Sequence, residues 1–373
     1  MIRTVAGMQF WFRIIRAWLA AVVVSTLIGT PAQASGPLRE AWIPDGSDWV
    51  VHVDAQRLSQ ADNLQPIFDA LAASGLGASL SDMGIDPRLD LLTITMFGTI
   101  TRGPDQQGET TTMLVGGPAL RTAIHKHVEK HNGYMLMLPR AWQAQRRDID
   151  AWTLEGMAVH IALVPSAQPR DEQGSRELVA VLADNSERLR ACVKMLMHEP
   201  DGSLEPPMET VQNPTQAGKP GSILDGCSPP EGSVIFASVR NLNESHPPLT
   251  SGLLASAESM VAHLGYRGKG KAQTVFAGMD LLGHEAADVD GVVSSLNHMI
   301  DYWSDRVAEL SRSQPSMLAM LPLIEACDVS KNGRLVKLQL GQSAITSETE
   351  ERDRGRPTLV TGAKPESPGS EGP

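Results

Sequence analysis

The sequence predicts an α+β protein of two similar lobes, each a mixed or largely antiparallel sheet covered by helices. Three observations carry that expectation. Short runs alternate apolar and polar residues, as in Trp49–Asp54 and Val336–Leu340, which is the period of a half-buried strand. From Ala286 to Leu310, apolar residues instead return every three or four positions (Val289, Val293, Leu296, Ile300, Trp303, Val307), the stripe of one long amphipathic helix. Finally, a Pro-acid-Gly-Ser quartet introduces a strand twice, at Pro44–Ser47 and at Pro230–Ser233.

In chain order, residues 1–34 read as a cleavable secretory signal peptide. Arg3, Arg13 and Arg16 are the only charges before Arg39, and an uncharged run from Ala17 to Gly29 follows. Pro31 then breaks the helix, and Ala32-Gln33-Ala34 supplies the small-x-small pattern, so cleavage is expected between Ala34 and Ser35. The apolar run is shorter than the roughly 20 residues that span a bilayer. No stable membrane anchor is therefore expected after cleavage, and the expected location is the periplasm or the extracellular space.

Removal of the signal leaves 339 residues and carries the formal charge from −11 to −14. An acidic surface repels phosphate backbones and anionic lipid surfaces, so no nucleic-acid partner is expected. Only 12 aromatic residues remain, too few for a stacking platform along a single strand. Three cysteines, Cys192, Cys227 and Cys327, allow one disulfide. Cys192 reads as a small core residue of a helix; if a bridge forms, Cys227 with Cys327 is the expected pair because both lie at loop or strand ends, although the sequence does not determine connectivity.

The N-terminal lobe is expected over residues 35–198. Its strands are Trp49–Asp54, Leu91–Phe97, Thr111–Val115, Met157–Val164 and Glu177–Ala183, with a polar loop over Arg102–Glu109. Its helices are Pro66–Ser74, stopped by a left-handed Gly75; Ala119–Asn132, ended by Gly133; and Asn185–His198, with Asp184 and Glu187 as a capping pair. Residues 199–228 are rich in Pro and Gly and read as a linker or long loop. The C-terminal lobe, 229–342, restarts with a strand over Ser233–Val239, a helix over Leu249–Leu264 and a strand over Ala272–Met279. The long helix comes next, and Asn332-Gly333 then signals a two-residue hairpin. Residues 343–373 are polar and charged and read as a disordered tail. A weaker echo sets Leu178–Ala183 with Glu187 against Val275–Gly278 with Glu285. Taken from Trp42 to Gln342, the pattern of repeated strand–helix units behind a signal peptide resembles exported bacterial proteins of unknown function. That resemblance implies location and architecture, and no activity.

Candidate chemistry is sparse. His125, His127, Glu129 and His131 lie on one expected helix, and His127 and His131, four apart, share a face that can chelate a divalent metal. Val128 stands where a zincin helix has its glutamate, so two boundary histidines beside a Leu120–Ile124–Val128 stripe are the expected reading. His52, Asp54 and His160 point to one sheet face and would meet if their strands were neighbours. Gly265–Lys271 has phosphate-loop spacing, but Ala272 replaces the metal-binding Ser or Thr and the strand–helix order is reversed, so it reads as a basic turn. Asn243-Glu244-Ser245 fits a glycosylation sequon. Met195, Met197, Met317 and Met320 read as core filling, or as the lining of an apolar groove. These features favour a non-catalytic binding or interaction module of the cell envelope, its partner a protein or an apolar ligand. No catalytic residue, cofactor or metal is assigned. The rival expectation is a metal-dependent envelope hydrolase using His127 and His131.

Overall fold

The structure, a computed structural model, describes residues 38–61, 64–101, 108–139, 149–154, 156, 158–169, 176–197, 223, 229–242, 257–267, 274–283, 286–311 and 327–340. Its strands are β1 (Trp49–Asp54), β2 (Leu91–Gly98), β3 (Thr110–Gly116), β4 (Tyr134–Met135), β5 (Asp150–Leu154), β6 (Val159–Pro169), β7 (Arg176–Ala183), β8 (Ser233–Val239), β9 (Ala257–Arg267), β10 (Thr274–Gly283), β11 (Cys327–Asn332) and β12 (Leu335–Leu340). The helices are α1 (Ala55–Gln60), α2 (Gln65–Ala72), α3 (Gly75–Asp82), α4 (Pro118–Lys130), α5 (Ser186–Met197) and α6 (Ala286–Ser311). The strands form one sheet in the order β11-β12-β10-β9-β8-β1-β2-β3-β7-β6-β5-β4. All described pairings are antiparallel, so the mixed-sheet alternative gives way to the antiparallel one.

Alternation sorts the core onto two faces. On one face Val51, Val53, Ile94, Leu114 and Ala180 pack against Leu58, Phe68, Leu80, Leu120, Ile124 and Val128, which come from α1 to α4. The same face continues through Met260, Met279, Leu281 and Leu338, where Val289, Val292 and Leu296 of α6 cover it. On the opposite face Val50, Phe97, Met113, Val181 and Phe236 meet Leu189, Cys192, Val193 and Leu196 of α5, together with Trp42 and Ile43. Phe236 belongs to β8 yet sits among β1–β7 residues, and Val234, Leu264 and Ala277 likewise join the first cluster. The core therefore crosses the β1–β8 junction without a break.

The two Pro-acid-Gly-Ser quartets build the same turn. The Ser47 N–H and hydroxyl both donate to the Pro44 carbonyl, at 3.2 and 2.9 Å, and Ser233 does the same to Pro230, at 3.0 and 2.7 Å. Gly46 and Gly232 take φ of +86° and +89°, a region that costs a residue with a Cβ about 1–2 kcal/mol. A Cβ at Gly46 meets open space, whereas one at Gly232 would lie 2.5 Å from the Tyr266 carbonyl oxygen. Gly46→Ala is therefore expected to lower the unfolding free energy by about 1 kcal/mol, and Gly232→Ala by clearly more, as read from urea midpoints. Equal losses would contradict the packing argument.

Several expectations change. The helix expected over Leu249–Leu264 is replaced, where the chain is described, by β9: Met260, Ala262, Leu264 and Tyr266 face the core with period two, and β8 and β10 flank the strand on both sides. Two-sided pairing overrides the helix propensity of its Ala, Glu and Met residues. Gly75 does not stop a helix; Ser74 caps a new one, α3, its hydroxyl accepting from the Gly77 N–H at 3.3 Å. At the end of α4 the left-handed residue is Asn132, at φ +49°. Gly133 is instead required by close approach, since a Cβ there would lie 2.6 Å from Val128 Cγ1. At α5, Asn185 rather than Asp184 accepts from the Arg188 N–H, at 2.8 Å, while Asp184 accepts from the Thr110 N–H. β4 and β5 lie between Gly133 and Met157, where no element was expected. Residues 1–34, 343–373 and the 199–228 segment apart from Ile223 lie outside the described residues, as do Cys227 and hence its expected bridge, the Asn243 sequon, Met317 and Met320.

Candidate functional site

The C-terminal ends of α3 and α4 converge on three side chains. Burial of Leu120, Ile124 and Val128 against the sheet turns His127 toward α3, where it is only 5% exposed. His131 follows one turn later as the C-cap of α4, and Asp82 ends α3. Asp82 Oδ2 lies 3.9 Å from His127 Nδ1 and 3.7 Å from His131 Nε2, and the two imidazole centroids are 4.5 Å apart. The other carboxylate oxygen, Oδ1, accepts from Lys130 Nζ at 2.6 Å. One donor atom from each of the three residues falls within 4.8 Å of the others. His127 Nδ1 and His131 Nε2 are both buried and have no hydrogen-bond partner among the described residues.

The electrostatics favour the ligating protonation states. The hydrogen bond and charge of Lys130 hold the Asp82 carboxyl below its usual range, and the two imidazoles act in the same direction. Burial lowers the basicity of His127, and His131 beside it adds to the effect while Asp82 opposes it. Near neutrality the pair is thus a carboxylate facing a neutral imidazole. His125 goes elsewhere: its Nε2 lies 3.7 Å from Asp150 Oδ2, and its ring meets Trp152 edge-on at 5.0 Å. Asp82 was not found from the sequence because it lies 48 residues before Lys130, on a helix that the reading of Gly75 as a stop concealed.

The other expected constellation does not assemble. His52 and His160 share the α5-covered face, but β2, β3 and β7 stand between their strands, a separation of about 19 Å at ordinary strand spacing. His52 Nδ1 bonds Thr95 Oγ1 at 2.9 Å, His160 Nδ1 bonds Thr153 Oγ1 at 2.9 Å, and Asp54 accepts from the Arg57 N–H to cap α1. A cavity between the sheet and the Glu40–Trp42 turn is lined by Arg39, Trp42, His52, Thr93, Thr95 and Glu177; at about 20 Å³ it has room for a water and no larger ligand. Burial pushes the Cys192 thiol up to about 12 and the Cys327 thiol up to about 11, far from the thiolate that a nucleophile needs.

Burial also lowers the basicity of His160, with Arg190 contributing. For both His127 and His160 the unfolded chain binds the proton more tightly than the folded one. Their contribution to stability is therefore complete above the ordinary imidazole range and is lost as pH falls through it. The urea midpoint is expected to drop between about pH 7.5 and about pH 5.5, and less steeply in His160→Gln. An unchanged midpoint would contradict the assignment.

Comparison with known proteins finds no matching family model and no significant match to a curated protein or a solved structure.

Proposed function

We propose that the chain is an exported, non-catalytic binding module of the cell envelope, built from two similar lobes. One observation carries the binding reading. His52, Asp54 and His160 each make a bond that holds the fold, whereas the ring nitrogens of His127 and His131 nearest Asp82 are buried without a hydrogen-bond partner among the described residues. An unsatisfied buried polar group costs about 1–3 kcal/mol, a cost that a bound ligand removes. The competing reading, a metal-dependent hydrolase, uses the same histidines and differs in requiring turnover.

The two-lobe reading draws support from strand order and register. In one half β1-β2-β3 run as a meander, the chain leaves through α4, and β7 docks on β3 with β6 outside it. In the other half β8-β9-β10 run as a meander, the chain leaves through α6, and β12 docks on β10 with β11 outside it. The interval that carries Gly46 onto Gly232 also carries Val51 onto Ala237, and those two residues are paired with each other. Each third strand ends on a glycine beyond a register shift, Gly116 opposite Leu91 and Gly283 opposite Ala257. On this reading the halves are related by a twofold axis through the Val51–Ala237 pair, and α6 is the long amphipathic counterpart of α4. The weaker echo of β7 with β10 has no place in it, because those strands occupy different positions in their halves.

The test is the mass of the protein isolated from the exported fraction, under native and then denaturing conditions. The expected chain begins at Ser35 and carries an adduct that denaturation releases. Identical masses, together with turnover of a chromogenic ester or phosphate that His127→Gln abolishes, would contradict the binding-module reading.

A further inference from the structure

We infer that Asp82, His127 and His131 form a binding site for a divalent transition-metal cation of the zinc type, held where the C-terminal ends of α3 and α4 meet. The inference rests on the binding-module reading and names its ligand.

Three independent features converge. The first is the donor set, two imidazole nitrogens and one carboxylate oxygen drawn from two helices. Imidazole selects zinc, copper, nickel and cobalt, whereas calcium and magnesium take oxygen ligands. The second is geometry. Zinc–nitrogen and zinc–oxygen bonds near 2.0–2.1 Å place tetrahedral ligand atoms about 3.4 Å apart. Asp82 Oδ2 already stands 3.7 Å from His131 Nε2 and 3.9 Å from His127 Nδ1, and one donor atom from each of the three residues lies within 4.8 Å of the others, so side-chain rotations that draw the donors together by about an ångström close the site. The third is desolvation. His127 is buried, its Nδ1 has no hydrogen-bond partner among the described residues, and the Asp82 carboxylate oxygen faces that nitrogen at 3.9 Å.

The surroundings fit a cation. The last carbonyls of a helix carry a partial negative charge, and here two helices present that end to one point. Lys130, bonded to Oδ1, leaves Oδ2 directed at the imidazoles and fixes the carboxylate as an outer partner does in metal sites. Three protein ligands leave a fourth position for water or for a group brought by a binding partner.

The mature chain, stripped with a chelator and dialysed, is titrated with Co²⁺ alone and then with Zn²⁺ alone. The expected result is one equivalent of cobalt with the intense visible bands of a four- or five-coordinate ion, displaced by zinc, and a rise in thermal midpoint on loading. Asp82→Asn and His131→Gln, which sit at more exposed positions than His127, should keep the wild-type far-UV spectrum and bind at least about tenfold more weakly. His125→Gln, on the same helix but directed at Asp150, should bind as wild type does. Cobalt that keeps the weak spectrum of its aquo ion, or binding that Asp82→Asn and His131→Gln leave unchanged, overturns the site. The two readings fail separately. A native adduct without cobalt binding removes the metal site and leaves the module, whereas cobalt binding with hydrolytic turnover keeps the site and removes the non-catalytic reading.

Discussion

Asp48→Ala is expected to lower the unfolding free energy by about 3 kcal/mol, the cost of two charge-assisted hydrogen bonds partly replaced by water. Asp48 is 2% exposed at the entry to β1. Its Oδ2 accepts from the Ile100 N–H at 3.0 Å and its Oδ1 from Asn241 Nδ2 at 2.9 Å. Its own N–H donates to the Gly98 carbonyl at 2.7 Å, and its carbonyl accepts from the Arg240 N–H at 2.8 Å. The Arg240 guanidinium closes the cluster on the Ser47 carbonyl at 3.2 Å. One residue thus ties the start of β1 to the ends of β2 and β8. Alanine keeps the backbone bonds but leaves the Ile100 N–H without its acceptor. Asp48→Asn keeps one acceptor oxygen and turns an NH₂ toward a donor, so an intermediate loss is expected. Urea unfolding gives both values, and a loss under about 1 kcal/mol for alanine would show that the junction is held by something else.

Phe236→Ala is expected to cost about 3–5 kcal/mol, the range for a buried aromatic replaced by a methyl group. The ring is 1% exposed, on β8, and fills the cluster of Val50, Phe97 and Leu189 on the α5-covered face. The shape of the transition is the sharper part of the prediction. Because a β8 side chain completes a core built by β1–β7 and α5, the variant should still unfold in one step, with tryptophan fluorescence and far-UV circular dichroism coincident. Separate transitions in the variant would show that the two halves unfold as independent domains and that the shared core does not couple them.

What the sequence reveals depends on whether the deciding interaction is local. Trp49–Asp54 and Ser233–Val239 are legible because alternation and a preceding Pro-acid-Gly-Ser turn are both local signals. The hairpin expected at Asn332-Gly333 is legible for the same reason, but its two-residue loop falls one position later, at Gly333-Arg334, with Asn332 paired to Leu335 and Gly333 at φ +59°. β9 is not, because its Ala, Glu and Met residues favour helix and only pairing with β8 and β10 decides otherwise. Two of the three side chains of the candidate site were visible, since a four-residue spacing on an amphipathic helix announces His127 and His131. Asp82 reaches them through the packing of α3 on α4, which no local pattern encodes. The separation of His52 from His160 is also a matter of strand order, and alternation fixes only the face.

Metal content of the full-length protein tests the central claim most directly. The protein is purified with neither added metal nor chelator, beside its His127→Gln variant. The account predicts close to one zinc-type ion per chain in the wild type, lost from the variant. Less than about a tenth of an ion per chain in the wild type, or the same content in both proteins, would contradict it.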